Sequence, residues 1–275
     1  IMKQYLIIIL RFYRSLLLKT DKNLFCILFN LRSFIIRSPS RVTWKDNIFI
    51  IRDKKFPDYI YAARHQAALN LFFEWGFQKS SMSIGEAYFL DKINFKDGDI
   101  VMDCGANIGI LKNYFFINNL DINYIGFEPS ETEFNCLKDN VNPSTVHNFG
   151  LWNKNTELKF YINSSNGDSS IIKPIEFDKT ISIQVRRLEE YINTSIKCLK
   201  LEAEGAEPEI IEGLGSKLSL VEYITADLGP ERGVNEESTL VPVTNLLLNK
   251  GFELVEVQYP RICALFKNKN FDDNS

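Results

Sequence analysis

Histidine is almost missing from this chain: His65 and His147 are the only two in 275 residues, so a histidine-built metal centre has too few ligands. Cysteine is sparse and scattered. Cys26, Cys104, Cys136, Cys198 and Cys263 are odd in number and form no C-x-x-C pair, which argues against a zinc site or a disulfide framework. Cys104 and Cys198 fall inside apolar runs and read as buried thiols in a reducing, cytoplasmic setting. Positive charge is not in excess either; the net charge of −3 gives no electrostatic reason to expect a nucleic-acid partner. A spanning helix needs about 20 mostly apolar residues, and the apolar stretch from Met2 to Lys19 is broken by Arg11 and Arg14, with no small-residue cleavage site behind it. Two readings of this stretch stay open: a helix packed on the rest of the protein, or a basic amphipathic helix that puts residues 1–40 on a membrane surface. Internal repeats and low-complexity tracts are also lacking.

What is present is an ordinary globular composition, 45% hydrophobic and 24% charged, long enough to bury a sizeable core. Ser38-Pro39-Ser40 marks a break, Trp44 to Arg52 alternates as a strand does, and the helical spacing of apolar residues between Tyr59 and Trp75 predicts a helix. A second helix is expected over 84–90. From Ile100 onward strands and helices alternate. Strands are expected at 100–104, 124–128, 145–148, 198–202 and 222–227, and helices at 108–118, 131–140, 207–212 and 240–249. Between them, 158–162 and 181–185 form a more irregular β-rich segment. The last strands, 252–257 and 261–266, have only a tight turn at Tyr259-Pro260 between them and should pair antiparallel. This pattern implies an α/β domain over 81–275, with a mostly parallel sheet covered on both faces, preceded by a helical extension over 1–80.

The chemistry concentrates where strands end. Asp103-Cys104-Gly105-Ala106-Asn107-Ile108-Gly109 closes the first core strand, and Glu128 closes the second, at the spacing where an acid accepts both ribose hydroxyls of a nucleotide. A dinucleotide site would bring phosphate to this turn, and Asp103 would repel it. Asp103 suits an ammonium group instead. An adenosine ribose, a cationic amino group and no phosphate describe S-adenosylmethionine. On that reading Glu128 holds the ribose diol and Gly105 lets the backbone approach the methionine portion. Asp103 faces the ammonium directly or through water, and Asn107 adds polar contacts or caps the helix. His147, just before Asn148 and Phe149, falls near the adenine position.

A second acidic segment, Lys200-Leu201-Glu202-Ala203-Glu204-Gly205-Ala206-Glu207, lies where a fourth parallel strand would end, on the same sheet edge. Taken together these pieces resemble the FkbM family of S-adenosylmethionine-dependent methyltransferases. The resemblance rests on Gly98-Asp99 through Gly109, Gly126-Phe127-Glu128-Pro129 with Phe134, Leu137 and Asn140, then Asp168-Ser169-Ser170, Arg187-Leu188 and Lys200 to Glu207. It implies a Rossmann-like class I methyltransferase fold. It also implies methyl transfer to hydroxyl oxygens, often on sugars or polyketides, so the expected partner is a small-molecule or glycan acceptor. An amine or lipid-linked acceptor, or a silent cofactor-binding module, are the alternatives. The family more often has Asp where this chain has Glu202. The cofactor set is thus Asp103, Gly105, Asn107, Gly109, Glu128 and Asn148, while Glu202, Glu204 and Asp227 are candidates to take the acceptor's proton. Asp227 opens a turn through Glu231-Arg232 whose charges either meet a polyhydroxylated acceptor or pair with each other.

Overall fold

The computed structural model describes residues 17, 20–66, 69, 75–163 and 169–271. It divides into two compact units, residues 1–80 with 165–167, and residues 81–164 with 168–275. In the first unit, helix α1 (Lys22–Ile35) starts at Asp21, whose side chain accepts from the N–H groups of Asn23 and Leu24. An antiparallel meander follows: β1 (Ser40–Lys45), β2 (Ile48–Asp53) and β3 (Phe56–Ala63). Asp46 and Asn47, both at positive φ, supply the tight turn between β1 and β2. Phe25 and Phe29 of α1 and Phe49 of β2 form its buried aromatic centre. The expected helix from Tyr59 to Trp75 is corrected here, because its first residues belong to β3, where Ile51 pairs with Tyr61 and Phe49 with Ala63. Tyr61 and Ala63 are buried and Ile60 is exposed, the two-residue period of a half-buried strand. The extension is therefore mixed α/β rather than helical. Residues 2–16 lie outside the described residues, as do 18 and 19.

The second unit begins within α2 (Phe77–Ala87) and is built on a seven-stranded sheet. Its strands are β4 (Ile100–Cys104), β5 (Asn123–Phe127), β6 (Thr145–His147), β10 (Ile196–Leu201), β11 (Val221–Asp227), β14 (Phe252–Gln258) and β15 (Cys263–Asn268), in the order β14-β15-β11-β10-β4-β5-β6. The pairs β4–β5, β5–β6, β4–β10 and β10–β11 are parallel, and β15 runs antiparallel to both neighbours, as its tight turn requires. Apolar side chains alternate to two cores. Met102, Leu199, Leu201 and Ile224 belong to one, and Val101, Cys198, Leu265 and Tyr88 to the other. The connecting helices are α3 (Lys112–Ile117), α4 (Glu131–Asn140), α5 (Glu207–Glu212) and α6 (Leu240–Asn249). The β-rich segment makes a separate small sheet of β7 (Gly150–Leu151), β9 (Lys179–Arg186) and β8 (Thr156–Ile162), and β12 (Pro230–Arg232) pairs with β13 (Glu237–Ser238). All five cysteines are free and buried. No helix among the described residues is long and apolar enough to cross a membrane.

The strand order reverses between β4 and β10, since β4 continues to β5 and β6 on one side while β10 and β11 lie on the other. That switch point, at the carboxyl ends of the strands, is where open α/β sheets bind ligands. On the face carrying Tyr88, α2 packs close to α3: a Cβ added at Gly85 would stand 2.0 Å from the ring of Tyr114. Alanine favours a helix over glycine by about 1 kcal/mol, but overpacking a core costs about 1–3 kcal/mol. Gly85→Ala is therefore expected to lower the denaturation midpoint, and Gly85→Ala with Tyr114→Leu to recover much of the loss. A rise in midpoint for the single variant would show that this contact does not set the packing.

Candidate active site

Lys200 stands near the end of β10, in a strand otherwise apolar from Cys198 to Leu201, and is 3% exposed. A charge so buried needs partners. The parallel register puts Lys200 opposite Asp103. Its Nζ lies 2.9 Å from Asp103 Oδ1 and 3.1 Å from Glu202 Oε2, and donates to the carbonyl of Gly105 at 2.8 Å. Tyr124 donates its hydroxyl to Asp103 Oδ2 at 2.6 Å. Burial disfavours the charged lysine, yet the two carboxylates outweigh it and hold the ammonium above its usual range. Asp103 is 1% exposed, with its two oxygens facing Lys200 and the Tyr124 hydroxyl.

The turn after β4 departs from the expected helix over 108–118. Asn107 at φ 48° and Gly109 at φ 86° are left-handed, and α3 starts only at Lys112. What these residues build is a loop. The Asn107 N–H donates to Glu128 Oε2 and the Ser130 N–H to Glu128 Oε1, each at 2.8 Å. Burial raises the Glu128 carboxyl to about 8 against these two donors, which favour the ionised form. Asn148 donates its side-chain amide to the carbonyl of Glu128 at 2.9 Å and so holds the loop after β5. His147 stacks on Phe127 with centroids 5.1 Å apart, beside Phe149 and Tyr191, and its burial lowers the imidazole's pKa. Gly105 has a second reason to lack a side chain: a Cβ there would stand 1.8 Å from the carbonyl oxygen of Glu202. The loops after β4 and β10 touch through their backbones at this point.

On the other side, Glu202 meets Lys200 and Arg261, and Arg261 reaches from the turn between β14 and β15 to Glu202, Asp227 and the hydroxyl of Tyr88. Burial alone would raise Glu202; the two cations pull it down to about 2. Asp227 also accepts from the Gly229 N–H at 3.1 Å. Glu204, at φ 51°, accepts at its carbonyl from the Ser170 hydroxyl at 3.0 Å; Asp168 lies outside the described residues. Glu207, 1% exposed, accepts from the N–H groups of Ala203 and Gly205 and from the Thr239 hydroxyl, fixing the acidic loop from within. Of the two readings left open for Glu231-Arg232, mutual pairing is not what the turn forms: Arg232 binds Glu209 through two contacts, at 2.7 and 2.9 Å. Glu231 is left among acids. Burial first, then Asp227, Glu202 and Glu207, push it up to about 8.

Sequence reasoning missed Tyr88, Tyr124 and Arg261, and gave no partner to Lys200. A lysine inside an apolar strand is itself a signal, since it demands a buried acid. Tyr88 and Arg261 carry no such mark and meet the site only through the fold.

The donor set is compatible with S-adenosylmethionine: the loop 105–111 contains no lysine or arginine to meet a phosphate, and the carboxyl of Glu128 follows directly on β5 beside that loop. The family model described as Methyltransferase FkbM domain matches residues 103–268, more than half of the chain. No curated protein matches. Among solved structures, a methyltransferase FkbM from Methylobacillus flagellatus KT is 19% identical, with 73% of this chain and 53% of that one covered and a TM-score of 0.48. The chain thus spans about half the length of that protein. The N-terminal domain of human METTL16 in complex with SAH is 12% identical over 71% of each chain, with a TM-score of 0.40. M. capricolum TrmK in complex with SAH is 10% identical over 71% of each chain, with a TM-score of 0.37.

Two outcomes test this electrostatic arrangement. Lys200→Met leaves Asp103 buried without its cation and is expected to cost about 3–5 kcal/mol, with Lys200→Met/Asp103→Asn recovering a large part in urea unfolding. No recovery would assign the loss to packing. For Glu128, the folded pKa of about 8 lies above the ordinary 4.5, so its contribution to stability is full below pH 4.5 and disappears as pH rises through about 8. Glu128→Gln is expected to remove that falling slope from unfolding free energies measured across this window.

Proposed function

The chain belongs to the FkbM family of methyltransferases, and from that premise we propose that it transfers a methyl group from S-adenosylmethionine to a hydroxyl oxygen of a small polyhydroxylated acceptor, most plainly a carbohydrate. When bound, the cofactor supplies a methyl group activated by its sulfonium. Glu128 would hold the ribose diol, with Asn107 and Asn148 fixing the loops around it. Gly105 and Gly109 shape the turn, and Glu202 offers negative charge to the cationic portion. Asp103 contributes by holding Lys200 and, through it, the Gly105 carbonyl.

Transfer to a hydroxyl needs a group that accepts the acceptor's proton. The observation that carries the assignment is the contrast among the acids at this edge. Glu202 and Asp227 are both ion-paired to Arg261, and Glu202 titrates near 2, too low to take a proton near neutrality. Glu231 sits beside Asp227 near Gly229 and titrates near 8, in the range a base requires. A carboxylate oxygen of Glu231 would receive the proton while Glu204 and Arg232 border the acceptor. This reading moves the proton from Glu202, Glu204 or Asp227 to a neighbour on the same sheet edge.

Cofactor affinity and turnover separate the two assignments. A diol donates to the ionised carboxylate, so S-adenosylmethionine should bind more tightly as pH rises towards about 8, and calorimetry on Glu128→Gln should find weaker binding without that dependence. Glu231→Gln should keep the affinity and lower kcat by about 10²–10⁴-fold, losing the rise of kcat with pH. Turnover measured with labelled cofactor and a panel of sugar acceptors supplies the rates. A Glu231→Gln enzyme with unchanged kcat would remove the base assignment, and activity confined to amines would remove the hydroxyl.

A further inference from the structure

Helix α1 is apolar on two opposite faces. Phe25, Cys26, Phe29 and Ser33 are buried against the meander, whereas Leu24, Ile27, Leu31, Phe34 and Ile35 are exposed, Phe34 at 73% and Ile35 at 70%. At about 100° per residue these five fall within an arc of roughly 120°. Scattered exposed apolar residues are ordinary; a continuous stripe along three turns marks a surface that meets something.

The surroundings of the stripe identify its occupant. Trp75, 46% exposed, stacks under Lys79, whose Nζ is 4.6 Å from the ring centroid, and under Arg32 of α1, 5.8 Å away. Arg37 follows the helix, exposed. The first 80 residues carry 14 Lys and Arg against 5 Asp and Glu, a net of +9, while the remaining 195 carry 18 against 30, a net of −12. An apolar helix face with a half-exposed tryptophan and basic side chains at its border matches the interface of an anionic bilayer, where apolar groups enter the acyl boundary and cations meet lipid headgroups. A twofold dimer through the same stripe would set one basic border against another.

We propose that α1 docks the protein on anionic membrane through the Leu24–Ile35 stripe, with Trp75, Arg37 and Lys79 at the headgroup level. The reading is independent of the acceptor's identity. The full chain is sedimented with vesicles of phosphatidylcholine alone or with phosphatidylglycerol added. Binding to the anionic vesicles is expected to be at least about tenfold tighter. Ile27→Glu/Phe34→Glu should lose that binding by about tenfold or more, and Arg37→Gln/Lys79→Gln should lose the preference for anionic lipid. These side chains are exposed, so thermal midpoints should not change. Equal sedimentation of the wild type and Ile27→Glu/Phe34→Glu overturns the proposal, as does failure of the wild type to bind anionic vesicles. A concentration-dependent dimer in sedimentation velocity that Ile27→Glu/Phe34→Glu abolishes would give the stripe to a second copy and overturn it as well.

Discussion

A lysine inside the central strand of a parallel sheet loses several kcal/mol of hydration and regains it only if opposite charge arrives with good geometry. Lys200 meets that condition because β10 lies beside β4 in a register that sets Asp103 opposite it. The pair thereby joins strand order to site geometry. The same ammonium reaches the Gly105 carbonyl and the Glu202 carboxylate, so the loops leaving both strands are tied to one charge. The tie works together with the contact between Gly105 and the Glu202 carbonyl, where no side chain fits.

Around that centre the carboxyl groups divide by their partners. Glu202 and Asp227 are matched to Arg261. Glu128 and Glu231 form no ion pair among the described residues, and burial pushes both up to about 8. Acids crowd one sheet edge, and what separates a charge that stays from a proton that moves is the pair of cations, Lys200 and Arg261, that Glu202 meets. The longer Glu202 side chain matters in this light, since it meets Lys200 and Arg261 together.

Local signals made much of the architecture legible. Helices α4, α5 and α6 run over the residues their patterns indicate, and Pro208 near the start of α5 and Gly213 after it explain why its boundaries were readable. The mostly parallel character of the sheet and the antiparallel last strand follow from alternation and from the tight turn at Tyr259-Pro260. Local signals misled where long-range pairing decided. Tyr61 and Ala63 suit a helix by spacing and a strand by pairing with β2, and pairing won. Asn107 and Gly109, left-handed, turned the first turn of an expected helix into a loop and delayed α3 to Lys112. At the site, the ligand-edge positions of Asp103, Glu128, Glu202 and Asp227 were legible because strand ends share an edge. Their partners were not, since Tyr88 and Arg261 come from distant elements and only a folded chain brings their charges and hydroxyls together.

The Lys200–Asp103 pair has a consequence for how such a chain changes over generations. Replacing either residue alone strands the other's charge in the core, whereas replacing both with apolar groups of similar shape is nearly neutral. A lineage that leaves this arrangement must cross an unstable intermediate or alter both strands within a short interval. The two positions are therefore expected to change together although they stand far apart in the chain, and an engineer who grafts the loop after β4 onto another sheet must carry the lysine of β10 with it.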